Sequence, residues 1–468
     1  MKKVILTVVA ALFLSSMAFA QFRATDQTGI NVFETPKVET PFSGLKVSIG
    51  GAFSQPYQAL SQSNSSSSLP YNATSTNTLF PVANNFSLAM PNLYLNTALA
   101  DGVTLNFTLY LASKHHNETW VKGGFVQFDK IPFIHIDLLD QIMKFTTLKV
   151  GAMEVNYGDA HFRRSDGGNS IYNPFMENYI MDEFATEVGA EADFHYKDII
   201  AVAAITDGEL NGNLQQIDVT KTPASNGSHN PAFIGKLGFD KQLTEQLRVR
   251  ISGSGYYTAG SVANTLFGGD RTGSNYSGVM YVAAPGTTTA FNGRYNPGLS
   301  DRLLTGMGNL FVKFTPIKGL SLESFSTFEK AKGRNSSEPV LRAATQKATD
   351  LVIRLGEKEN FFAGVRYNTV SADVAATPAV AAIAAKPAVV DPILGVLTLA
   401  TKAVPAVPAI PAYSIGINRL AFSAGWFITK NIMAKVEYVK QKYSGFQAGS
   451  LYDGAEFHGL SAEAVIAF

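Results

Sequence analysis

The chain has 468 residues, with 40 Gly, 32 Phe, 18 Tyr, no Cys and only 16% charged residues. A net charge of +1 leaves no basic surface for nucleic acid and no electrostatic hold on an anionic membrane surface. The lack of cysteine excludes disulfides and thiol chemistry.

Met1 to Ala20 places Lys2-Lys3 before the apolar run Val4–Leu14 and ends in Ala18-Phe19-Ala20, the three regions of a secretory signal peptide. A membrane anchor would need about 18 apolar residues, more than this run offers. Without Lys2 and Lys3 the basic residues nearly match the 37 acidic ones, and the exported chain is close to neutral. Its longest apolar region, Val374 to Ala412, is broken by Lys386, Asp391, Lys402 and several prolines, so no transmembrane helix is expected. The remainder divides into an N-terminal periplasmic segment, 21–43, and a β-domain, 44–468.

Period-2 alternation marks the strands. Leu45, Val47, Ile49, Gly51 and Phe53 open the series, followed by a Ser/Asn-rich loop over 55–85. Phe86–Leu99 and Val103–Ala112 flank the hairpin signal Asp101-Gly102. Trp120–Phe128 returns, and 129–147 carries Ile134, Leu138, Leu139 and Ile142 at the spacing of a short amphipathic helix.

Strands at 148–153 and 186–195 enclose a loop far longer than a hairpin needs. Beyond them, 199–206, 232–239, 247–257, 307–315, 320–328, 350–355, 361–369, 414–428, 432–443 and 457–468 continue the pattern. Long and short connections alternate, and about 16 strands fall within the bacterial outer-membrane range. The expected fold is all-β, a transmembrane antiparallel up-and-down barrel.

Many strands carry charge on one face and bulky apolar residues on the other, and Phe and Tyr recur at strand ends. Both features weigh against a soluble sandwich or propeller. Leu460, Ala462, Ala464, Ile466 and the terminal Phe468 share one face of the last strand, which resembles the recognition signal read by the barrel-assembly machinery.

The loop 156–181 holds Arg163-Arg164, the turn signals Asp166-Gly-Gly and Asn173-Pro174, and Tyr157, Phe162, Tyr172 and Phe175. It is expected to fold inward and set the narrowest cross-section. Arg163 and Arg164 either meet a passing anion or pair with the surrounding Asp159, Asp166, Glu177, Asp182 and Glu183. If apolar faces meet lipid, Lys46, Lys149, Arg248, Arg250, Lys313, Arg354, Arg366, Arg419 and Lys435 point inward, with Glu187, Glu191, Asp193, Glu323 and Glu437. That basic excess biases passage mildly toward anions, unless the charges only wet the wall and pair across strands.

The histidines have no zinc spacing, Gly268-Gly-Asp-Arg-Thr-Gly lacks a P-loop Lys, and Gly253-Ser-Gly is no nucleophile elbow. The reading gives no catalytic residue, metal or cofactor. The Ala/Pro-rich segment 372–411 reads as an extracellular loop, partly polyproline II.

Phe125-Val-Gln-Phe-Asp-Lys, Leu148-Lys-Val-Gly-Ala-Met-Glu-Val-Asn-Tyr-Gly and Asn173-Pro-Phe-Met-Glu-Asn resemble porins of the phosphate-selective O/P type, over Phe125 to Phe194. The resemblance implies a sixteen-stranded channel, often trimeric, in outer-membrane lipid. That family's basic ladder has no counterpart here. Two functions follow as expectations: a passive porin for small hydrophilic solutes or ions, and a non-conducting adhesin or scaffold displaying its loops. An apolar channel for hydrophobic compounds conflicts with the charged inner faces.

Overall fold

The structure, a computed structural model, describes residues 25–34, 37, 42–71, 75–111, 119–165, 169–209, 230–261, 264–268, 276–282, 293–379, 389–390, 397–398 and 409–468. The signal-peptide region, Asp166 and most of the Ala/Pro-rich segment lie outside these residues.

The main sheet holds 17 strands, one of them the two-residue Asn85–Phe86. The other sixteen form the wall. They are β1 (Lys46–Ser63), β2 (Met90–Ala100), β3 (Val103–Leu111), β4 (Thr119–Phe128), β5 (Thr146–Glu154), β6 (Thr186–Tyr196), β7 (Ile199–Thr206) and β8 (Ala232–Gln242). The series continues with β9 (Leu247–Thr258), β10 (Asp301–Ile317), β11 (Leu320–Arg334), β12 (Arg342–Leu355), β13 (Phe361–Val374), β14 (Tyr413–Thr429), β15 (Ile432–Ser444) and β16 (Glu456–Ala467).

Each strand pairs antiparallel with the next. β1 closes the ring on β16, from Ala52 opposite Ala467 to Ser63 opposite Glu456. A closed barrel leaves no unpaired edge, the condition for strands to cross lipid.

Alternation along β10 fixes which face is which. Leu304 and Leu310 are 58% and 40% exposed, whereas Met307 and Phe311 are 3% and 0% exposed. The outward belt continues through Leu237, Ile251, Leu351, Phe422, Val436 and Leu460. In water that belt would drive aggregation; in hydrocarbon it is the solvated face, and the chain spans the outer membrane through it. Among the described residues no helix is long and apolar enough to cross a membrane.

The short turns gather at one end, which in bacterial barrels is the periplasmic one. At Asp101-Gly102, Gly102 has φ +69° and a Cβ there would lie 2.6 Å from Lys130 Cβ, so the turn requires glycine. Helix α1 (Asp137–Met143) lies in the connection at this end, with Leu138 and Ile142 exposed. Strands on the β10–β14 side reach 17 residues, against the 9 to 11 or so that cross a bilayer. That side of the wall therefore rises beyond the membrane.

Two sequence expectations change here. The polar run after Phe53 is strand rather than loop, because β1 continues through Pro56 to Ser63 with Ser54 and Gln58 buried. In a barrel whose core is polar, hydrophilic residues are the inward face, and the usual link between polarity and loop fails. β10 and β12 likewise begin earlier than their apolar residues suggest.

The second change concerns 21–43, read as a periplasmic segment separate from the barrel. Residues 25–34 instead enter the short-turn mouth. Gln27 N donates to Lys430 O at 2.8 Å, Asn31 Nδ2 to Glu323 Oε1 at 2.7 Å, and Phe33 packs on Phe162 and Phe311. Glu34 lies deeper, between Lys236 and Arg250. These two buried cations supply the attraction that draws the segment in.

Candidate functional site

The connection between β5 and β6 turns into the lumen at once. Gly158 has φ +69°, the left-handed region that favours glycine, where the chain passes Met307 on the facing wall. A 3₁₀ turn over Ala160–Arg163 follows. At Asn173, Oδ1 accepts the Phe175 N–H at 2.9 Å, which doubles the chain back. Tyr157, Tyr172, Phe175, Met176, Ile180 and Met181 are all buried.

The loop is bonded to the far wall along most of its length. Tyr157 Oη donates to Glu329 Oε1 at 2.8 Å, and Asn309 Oδ1 accepts the Asp159 N–H at 3.0 Å. Glu437, Asn368 and Gln346 accept the backbone N–H groups of Met176, Ile180 and Met181. Arg366 and Arg419 donate to the Glu177 and Asn178 carbonyls at 2.6 and 2.7 Å. Lys435 Nζ donates to the Ser170, Asn173 and Phe175 carbonyls. Strands β10 to β15 thus hold the loop across the lumen.

Two ion clusters fix its ends. Asp159 accepts from Arg250 Nε and Nη2 at 2.8 and 2.9 Å, from Lys236 Nζ at 3.0 Å and from Ser252 Oγ at 2.6 Å. Asp182 takes Arg164 Nε and Nη2, both at 2.8 Å, and Arg294. Burial pushes the Asp182 carboxyl up, but the Arg164 and Arg294 guanidiniums outweigh it and hold the value down to about 2. Asp159 and Glu34 are also lowered, burial being overcome chiefly by Lys236 and Arg250. Glu183 differs: burial and the neighbouring Glu329 hold its carboxyl well above the usual range.

The sign of the acid response follows. Lowered carboxylates stabilise the loop fully above their ordinary value near 4, and lose that contribution as pH falls through the lowered one, about 2 for Asp182. Loop anchorage, read by limited proteolysis, should therefore be the same at pH 8 and pH 5. Cleavage in 156–181 appearing already at pH 5 would contradict it.

Of the residues singled out in the sequence, Arg164 and Asp182 form an ion pair, and Arg250 joins Asp159. Arg163 is buried, its guanidinium carbon 4.8 Å from the Phe325 ring centre, with no ion pair among the described residues. Lys149 pairs with Glu191 and Asp193, Arg248 with Asp240, and Glu187 accepts from Tyr256 Oη. Lys46 is exposed at the short-turn rim.

Lys236 and Glu34 were missed. Lys236 was legible, since in β8 it shares parity with Ala232 and Ile234, opposite Phe233 and Leu237. Nothing local marks Glu34.

The lumen is not filled evenly. Inward positions of β10 to β15 are almost fully buried under the loop. Between the loop and β2–β6 a cavity of about 190 Å³ remains, lined by Asn92, Tyr94, Asn106, Thr108, Lys122, Phe125, Glu154 and Thr186 with Asn169 and Tyr172 from the loop and Thr25 from the N-terminal segment.

Closed pairing, an outward apolar belt and a polar lumen crossed by a loop define a sixteen-stranded outer-membrane β-barrel of porin architecture. No protein-family model matches the sequence, and no curated protein matches it. The O/P-type likeness thus remains a resemblance of motifs. Solved structures to which the chain is similar include an anion-selective porin from Comamonas acidovorans, with 8% identity, 91% of this chain and 100% of that one covered, and a TM-score of 0.45. Another is the outer membrane channel DcaP of Acinetobacter baumannii, with 10% identity, 91% and 98% coverage and a TM-score of 0.44. OmpT, an outer membrane protein of Vibrio cholerae, has 8% identity, 92% and 100% coverage and a TM-score of 0.44. The fold assignment rests on the strand pairing itself.

Proposed function

We propose that the protein is a porin, a passive channel for small hydrophilic solutes and ions, whose path runs between the inward loop and the wall of β2 to β6. The observation that carries this reading is the cavity left on that side, bordered by amide, hydroxyl and charged side chains, while the inward positions of β10 to β15 are buried under the loop. Amide and hydroxyl groups along it replace lost hydration without binding tightly, which suits transit.

Anion preference is small in this reading. Most of the inward arginines and lysines that suggested a basic excess are met by acids absent from the inward set read from the sequence. Lys313 meets Glu359, Arg250 meets Glu34 and Asp159, and Arg366 meets Asp350. Reversal potentials in a salt gradient should give permeability ratios near unity, and a strong preference for either ion would contradict the charge matching.

Single-channel recording in planar bilayers tests the channel itself. Steady ohmic steps are expected. A folded, heat-modifiable barrel that stays silent would instead support a scaffold displaying its long loops, a reading that the loop and residues 25–34 inside the lumen also suit.

Assembly gives a separate expectation. Phe468 is exposed beyond the end of β16, and its N–H and C=O pair with Gly51 in β1. Deleting Phe468 should lower the outer-membrane yield of heat-modifiable barrel without reducing export. Equal yields would count against a role in recognition by the assembly machinery.

A further inference from the structure

Arg163 is buried, and its Nε, Nη1 and Nη2 make no hydrogen bond among the described residues. It borders a small pocket shared with Arg164, Asn178, Tyr179, Asp182 and Arg366, with room for about one water-sized group. A guanidinium so placed is costly, and the aromatic faces of Phe325 and Phe311 offset only part of that cost. Burial pulls its pKa below the ordinary arginine value, with Asp350 and Glu323 acting against that pull.

Those two acids are already committed. Asp350 receives Arg366 Nε and Nη2, both at 2.7 Å. Glu323 Oε1 receives Arg354 Nε at 2.8 Å and Asn31 Nδ2 at 2.7 Å. Asp182 is held by Arg164 and Arg294, and Glu183, which also lines the pocket, accepts from Gln346 Nε2 at 2.6 Å. Among the described residues, three buried guanidiniums, those of Arg163, Arg354 and Arg366, thus face the two carboxylates of Asp350 and Glu323.

We propose that this pocket binds a small monovalent anion of chloride size on the Arg163 guanidinium, which neutralises the remaining charge and holds the loop in place. The pocket is too small for phosphate or sulfate. The site lies within the packed side of the lumen, so it does not depend on the channel reading. Direct pairing of Arg163 with Glu323 Oε2, which also makes no hydrogen bond, is the competing arrangement.

Bromide tests the two. Crystals of the full chain grown in sodium bromide should show an anomalous peak within hydrogen-bond distance of Arg163, and crystals of Arg163→Gln should lack it. In detergent, the wild-type unfolding midpoint should rise when gluconate is replaced by chloride at constant ionic strength, and the rise should vanish in R163Q but persist in R248Q. An empty pocket in wild-type bromide crystals, with Arg163 turned onto Glu323, overturns the proposal, as does a chloride response unchanged in R163Q. If R163Q does not fold, the wild-type anomalous map decides alone. Conductance enters none of these readouts, so a silent barrel would overturn the channel and leave the anion site standing.

Discussion

Shortening the loop, by joining Gly158 to Asp182 through a brief turn, should raise single-channel conductance several-fold and admit larger sugars. Every strand of the wall is paired to its neighbours independently of the loop, so the barrel should still close and remain heat-modifiable. Removing the loop takes away the backbone carbonyls that accept from Arg366, Arg419 and Lys435, along with the carboxylate that neutralises Arg250 and Lys236. Water would replace them, the lumen would widen, and its net charge would become more positive. A shift toward anions should therefore accompany the rise in conductance. Liposome swelling with sugars of increasing size and reversal potentials read the two effects separately. If neither conductance nor the sugar limit changes, the loop does not set the constriction.

The sixteen strands were legible because lipid and water impose opposite demands on alternate residues, a signal carried by residues such as Leu304 and Leu310 against Met307 and Phe311. Their ends were less so. Ser54 to Ser63 and Arg342 to Thr349 are polar strand residues that leave the hydrocarbon or face the lumen, where no apolar period reports them. The loop's inward course was read from its length and turn residues. Its partners were not, because Glu329, Gln346 and Asn368 become partners only when the barrel brings distant strands around the loop. The two arginines show the limit of local reasoning. Adjacent in sequence, Arg164 finds Asp182 while Arg163 points to the opposite side of the turn, against Phe325. Counting nearby acids describes the first and misplaces the second.

Asp159→Asn should be the most damaging single substitution in the lumen. Asp159, Glu34, Lys236 and Arg250 form a buried square in which each cation touches both acids. The asparagine keeps the shape and one acceptor, but it leaves two buried cations sharing Glu34, with Asp240 at 3.5 Å from Arg250 as the one further carboxylate in reach among the described residues. Breaking a buried pair from one side costs about 3–5 kcal/mol, because the remaining charge is neither solvated nor compensated. That cost falls on two elements at once, since the loop is tied by Asp159 and residues 25–34 by Glu34. The variant should show a lower heat-modification temperature, rapid flicker between conductance levels and new protease cleavage near 159. Restoring the charge balance should recover most of the loss, so Asp159→Asn combined with Lys236→Met should be more stable than Asp159→Asn alone. The positive coupling between the two sites, read from a double-mutant cycle, is the decisive quantity. Simple addition of the two single costs would mean that the square contributes packing alone, and the ion pairs would not be what holds the loop and the N-terminal segment in the lumen.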